Sequence, residues 1–189
     1  EEVVDLGRKL ATALGSAHRL GIVHRDLKPE NVFREPGGAL RLLDFGLVKT
    51  VQDLALESSS AMTHSGSFLG TPLYMAPEQI RSAGDVDARA DIFSLGVILY
   101  ECCAGRSPFR RATAGGVLAA ILSESPEPLH VSPPLAKVIA RCLEKRPEDR
   151  PATAAHLSRA AQALRRGDIA GAAAAVAGVA AGAVALESA

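Results

Sequence analysis

Eight consecutive residues, His24-Arg25-Asp26-Leu27-Lys28-Pro29-Glu30-Asn31, bring a carboxylate, an ammonium and a carboxamide together. Such a carboxylate can accept a proton from an attacking hydroxyl, a lysine can neutralise charge on a transferred anion, and a carboxamide oxygen can ligate a hard cation. Further on, Asp44-Phe45-Gly46 places a second oxygen ligand at the end of an apolar run and beside a flexible glycine. Mg²⁺ takes one or two protein oxygens and completes its shell with phosphate oxygens and water, so Asn31 and Asp44 form a candidate pair. Taken singly, an Asp or Asn in a loop is an ordinary turn former.

These residues need elements to hold them. Ahead of the polar cluster, Val3, Leu6, Leu10, Ala13, Leu14 and Ala17 recur at helical spacing, so the chain starts in a helix already under way. Ile22 and Val23 then form a short apolar stub. Val32-Phe33 and Leu40-Arg41-Leu42-Leu43 flank Pro36-Gly37-Gly38, which predicts a small β-hairpin between the cluster and Asp44. From Asp44 to about Asp87 the sequence is rich in Ser, Thr, Gly and Pro and reads as a long loop, a place for substrate contact or regulation. Ala88 to Ala104 is apolar on nearly all sides and predicts a helix through the middle of a helical domain. Gly115 to Ser123, Pro134 to Leu143 and Thr153 to Arg165 predict three more helices, separated by Pro-rich stretches.

The 189 residues suit one domain with some chain left over. A hydrophobic fraction of 48% with 22% charged residues excludes wholesale disorder and a collagen-like chain. The 21 Lys and Arg are matched by 21 Asp and Glu, so there is no electrostatic case for general nucleic-acid binding. Cys102, Cys103 and Cys142 are odd in number and lack metal-ligand spacing, which reads as buried thiols in a reducing cytosol. No secretory signal opens the sequence, so the expected location is cytoplasmic. His18, His64, His130 and His156 are scattered without ligand spacing and read as ordinary surface or core histidines.

The 24–31 loop, Asp44-Phe45-Gly46 and the closing triplet Ala76-Pro77-Glu78, led into by Gly70-Thr71-Pro72-Leu73-Tyr74-Met75, together resemble the protein-kinase family, bacterial Ser/Thr type. The resemblance covers Glu1 to about Arg165, including Asp91 and the Arg150 of Glu148-Asp149-Arg150-Pro151. It implies a mostly α fold, the large C-terminal lobe of a kinase with a small β-hairpin and with the small lobe absent. It divides the chain into a partial kinase domain over 1–166 and an Ala/Gly-rich tail over 167–189.

The resemblance also implies roles. Asp26 would be the catalytic base and Lys28 would contact the transferred phosphoryl group of ATP, while Asn31 and Asp44 would hold Mg²⁺ on the nucleotide. Phe45 and Gly46 would set the position of Asp44, and His24 would support the catalytic loop by packing and hydrogen bonding. Lys28 together with Gly70-Thr71 resembles Ser/Thr rather than Tyr specificity, with protein substrates as partners. Thr71 would hydrogen-bond in the catalytic loop, although a Thr before Pro in a turn is also ordinary chemistry. Arg25 matches kinases in which that arginine receives an activation-loop phosphate, with Thr63 and Ser65 as candidate acceptors. A solvated Ser/Thr-rich loop would look the same. Glu78 and Arg150 resemble the family's buried ion pair. Asp91 would anchor the catalytic loop through backbone N–H groups, or serve only as a helix N-terminal cap.

The sequence departs from the family in one respect. Neither a Gly-x-Gly-x-x-Gly loop nor a Val-Ala-Ile-Lys strand is present, and Gly37-Gly38 and Gly115-Gly116 do not reproduce them. The expectation is therefore little or no kinase activity from these 189 residues alone. Three functions compete: a Ser/Thr protein kinase lobe, a catalytically inactive binding or scaffold module, and a small-molecule phosphotransferase, the last disfavoured by the protein-kinase character of Arg25-Asp26-Leu27-Lys28. The uncharged run Ile169 to Leu186 contains ten Ala and only five Val, Ile or Leu among 18 residues. It reads as a membrane segment, a soluble Ala-rich helix or the start of a helical repeat, and the weak apolar content disfavours the first.

Overall fold

The structure, a computed structural model, describes residues 1–45, 72–81 and 86–177. Helix α1 spans Glu2–His18 and buries Gly7, Leu10, Ala11, Leu14 and Gly15, a stripe at helical spacing. A 3-10 turn over Pro29–Asn31 leads into β1 (Val32–Arg34), which pairs antiparallel with β2 (Leu40–Leu42) in the register Val32 to Leu42, Phe33 to Arg41 and Arg34 to Leu40. The hairpin is the one the Pro-Gly-Gly turn predicts. Helix α2 is short, Pro77–Arg81, and lies within the stretch expected to be entirely loop. Pro77 suits a first helical turn, where no N–H is needed, and the Gln79 side chain accepts the Ala76 N–H ahead of it.

Helix α3, Arg89–Ala104, is the axis of the fold. Every residue from Ala90 to Tyr100 is buried, so its all-round apolar sequence matches a helix enclosed on every side. It ends at Gly105, whose left-handed φ of 70° lets its N–H reach back to the Glu101 carbonyl. Helix α4 (Ala114–Ser123) starts at Thr113, whose hydroxyl accepts the Gly116 N–H, and α6 (Ala154–Arg165) starts likewise at Thr153, which accepts from His156. Between them, α5 (Pro133–Cys142) crosses α3 closely: a Cβ on Gly96 would stand 2.7 Å from Cys142 Cβ. Glycine suits that position because the Cys142 and Leu143 side chains occupy the space a Cβ would take.

The core is continuous. Leu10 and Leu14 of α1, Phe93 and Leu95 of α3, Ile121 of α4, Ile139 of α5 and Leu157 of α6 belong to one buried cluster. Helix α7, Ile169–Ala177, takes the first half of the Ala-rich run and packs on α6 and α5, with Ala172 and Val176 buried. No helix among the described residues is long and apolar enough to cross a membrane, and the rest of the run lies outside them. Of the three thiols expected to be buried, only Cys142 is, and burial pushes it up to about 12. Cys102 is exposed and Cys103 half-buried, because α3 emerges from the core in its last turn.

Candidate functional site

The loop after α1 folds around a buried carboxylate. Asp91 lies in the first turn of α3 with no solvent exposure, and its two oxygens accept the backbone N–H groups of His24 and Arg25, each at 2.8 Å. His18, at the end of α1, places Nε2 2.7 Å from the same carboxylate. A buried carboxylate with three donors is fully compensated for its desolvation, and it fixes the loop to the central helix.

Asp26 follows directly. Its Oδ2 accepts from Lys28 Nζ at 2.9 Å and from Asn31 Nδ2 at 3.3 Å, and the same Asn31 nitrogen donates to the Asp26 carbonyl at 2.8 Å. With its nitrogen engaged by Asp26, Asn31 keeps its amide oxygen as the ligand atom, the correct donor for a hard cation. The hairpin then brings Asp44 back. Beyond the β2 ladder the Leu43 N–H donates to the Asn31 carbonyl at 2.9 Å, so Asp44 is the next residue past the pairing with Asn31. Its carboxylate is exposed, and the donor set of one carboxamide oxygen and one carboxylate fits Mg²⁺, which needs few protein oxygens. Phe45 packs its ring on His24, with centroids 4.7 Å apart. His24 itself is fully buried.

Among the described residues, the only two non-glycine positions with positive φ are Arg25, at 65°, and Asp44, at 57°. Left-handed backbone is rare for residues with a Cβ and concentrates where surrounding structure over-determines it, commonly at functional sites. Here it falls on the residue before Asp26 and on Asp44 itself.

A second buried group ties the region to the far end of the domain. Arg150, with no exposure, forms a two-pronged pair with Glu78 of α2 at 2.7 and 2.8 Å. Its remaining donors meet the carbonyls of Arg89, Glu144 and Lys145. The guanidinium therefore joins α2, the start of α3 and the turn after α5. Next to α2, the Tyr74 hydroxyl donates to Glu101 at 2.5 Å, and burial together with that carboxylate pushes its phenol up.

Ten of the residues singled out in the sequence are described, namely His24, Arg25, Asp26, Lys28, Asn31, Asp44, Phe45, Glu78, Asp91 and Arg150, and the Arg25 guanidinium donates to the Val86 carbonyl at 3.4 Å. Gly46, Thr63, Ser65 and Thr71 lie outside the described residues. Sequence reasoning passed over His18 and Gln79. His18 carried no signal, because its partner Asp91 is 73 residues away. Gln79 stood at the third position of a helix entered through Pro77, the place where a Gln side chain reaches back to cap it.

Comparison with known proteins gives one consistent result. The family model for the protein kinase domain matches residues 1–163. The serine/threonine-protein kinase pkn3 of Myxococcus xanthus is 39% identical over 163 residues, covering 80% of this chain and 29% of that protein. Pkn1 of the same organism is 43% identical over 169 residues, covering 85% of the chain and 24% of the relative. PkaA of Streptomyces coelicolor is 40% identical over 166 residues, with coverage of 86% and 29%. The chain thus spans less than a third of the length of the curated relatives it matches.

Proposed function

Because the chain belongs to the protein kinase family, among bacterial serine/threonine kinases, and its helices and hairpin are those of the larger C-terminal lobe, we propose that it carries the phosphoryl-transfer loop of a serine/threonine protein kinase. The substrates are ATP and the Ser or Thr hydroxyls of proteins. The observation that carries this reading is the Asp26 carboxylate, held between Lys28 Nζ at 2.9 Å and Asn31 Nδ2 at 3.3 Å.

In this arrangement Asp26 accepts the proton of the substrate hydroxyl as the oxygen–phosphorus bond forms and the bond from the γ-phosphorus to its bridging oxygen breaks, leaving ADP. A positioned base of this kind contributes about 10² to 10⁴ in rate. Lys28, paired with Asp26, supports the charge of the transferred group. Asn31 and Asp44 would hold Mg²⁺, which when bound would neutralise charge on the nucleotide phosphates. The family positions the nucleotide with a smaller lobe as well, and its Gly-rich loop and strand lysine are not among these residues, so efficient transfer is proposed for this lobe acting with such a partner lobe.

The test is a nitrogen-15 spectrum of the 189-residue chain titrated with ATP and a trace of Mn²⁺ in place of Mg²⁺. Paramagnetic broadening centred on Asn31 and Asp44, and lost in Asp44→Asn, is the expected result. Broadening that ignores both residues would remove the metal assignment and leave a helical lobe that docks partners without chemistry.

A further inference from the structure

Arg25 is held at φ 65°, and both of its backbone hydrogen-bonding groups are taken by side chains from elsewhere in the fold. Its N–H goes to Asp91 Oδ1 of α3 at 2.8 Å. Its carbonyl accepts from Gln79 Nε2 of α2, also at 2.8 Å. The same Gln79 amide uses its oxygen to accept the Ala76 N–H at 3.0 Å. The orientation of the amide is settled by these partners, since an N–H can be met only by the oxygen and a carbonyl only by the NH₂ group. Gln79 is buried, so water offers no ready replacement for either bond.

We propose that Gln79 is a positioning residue: its amide clamps the peptide plane between Arg25 and Asp26, and so sets the loop that bears Asp26 and the start of α2 together. The geometry leaves that plane little freedom. Asp91 fixes the peptide before Arg25 and Gln79 fixes the one after it, so the left-handed turn is pinned from two helices. Through this side chain a displacement of Ala76 or α2 reaches the peptide between Arg25 and Asp26. The plain alternative is that Gln79 only caps α2 through its oxygen. The bearing of the clamp on phosphoryl transfer rests on the role proposed for Asp26, but the clamp itself does not, and it is tested without an activity assay.

Two variants separate clamp from cap. Gln79→Glu keeps an oxygen for the Ala76 N–H, as glutamate does in a capping box, and removes the donor to Arg25. Gln79→Met removes both. In the 189-residue chain, amide exchange and the carbonyl carbon-13 resonance of Arg25 are read by NMR, with the α3 amides as the reference for global stability. In Gln79→Glu the Arg25 carbonyl resonance is expected to move, and the His24 and Arg25 amides to exchange about five- to tenfold faster, the loss of one hydrogen bond, while Ala76 keeps its protection. Should the Glu variant not fold, the Arg25 carbonyl resonance of Gln79→Met decides in the same way. An unmoved Arg25 carbonyl with exchange at His24 and Arg25 within about twofold of wild type, and faster exchange confined to α2, would make Gln79 a cap alone and overturn the proposal.

Discussion

Asp91 and Arg150 lie wholly inside the domain, whereas Asp44 and Phe45 stand at its surface. Both regions are built from charged or aromatic residues, and the difference is in what surrounds them. Asp91 meets two backbone N–H groups and His18, and Arg150 meets one carboxylate and three carbonyls. A buried charge needs that many partners, and once it has them it cannot move without leaving one unpaired. Under the proposed function Asp44 would receive a cation, and an exposed carboxylate is free to do so. The framework side therefore stores stability, and the open side leaves its polar groups free for solvent or a ligand.

The sharpest break of that contrast is Arg150→Met, which strands the Glu78 carboxylate and is expected to cost about 3 to 5 kcal/mol in urea denaturation. Asp91→Leu comes next. It leaves the His24 and Arg25 N–H groups without their acceptor, and a loss of about 3 kcal/mol is expected, with amide protection disappearing at those two residues first. Gly96→Ala, which forces a Cβ against Cys142, should cost about 1 to 3 kcal/mol by the same denaturation measurement. On the open side, Asp44→Asn should change stability by less than about 0.5 kcal/mol, since asparagine also tolerates the left-handed conformation, while abolishing the cation-dependent nucleotide response.

A pH-dependent effect on the framework side concerns Lys145, whose ammonium lies over the Phe109 ring, 4.1 Å from its centroid, and donates to the Ile121 carbonyl. Burial and then the nearby Arg150 charge bring it down from 10.5 to about 8. Between those two values the unfolded chain binds a proton that the folded chain does not, so stability rises with pH across that window and the gain is lost as pH falls through about 8. Denaturation at a series of pH values should show that slope in the wild type and a flatter one in Lys145→Met.

Much of the fold was legible because its signals are local. The α1 stripe, the Pro-Gly-Gly hairpin and the enclosed helix Arg89–Ala104 follow from periodicity and turn chemistry within a few residues. Helix α2 was not legible, because five residues carry too little periodicity and its stability comes from Arg150 on Glu78. Nor was the exposure of Cys102, which depends on where α3 leaves the core.

The candidate site divides in the same way. The sequence by itself determined the chemical inventory, with Asp26, Lys28 and Asn31 within one loop and Asp44 past a hairpin, because spacing along a short stretch of chain limits how far those groups can separate. Only the tertiary structure decided how they are held. Gln79 and Asp91 come from two helices and converge on the backbone around Arg25, with His18 of a third helix bonded to Asp91, and a hydrogen bond across that much sequence leaves no periodic trace in any one of them. Local pattern reports what a segment buries, whereas the geometry of a peptide plane is set by whichever distant side chains reach it once the helices have packed.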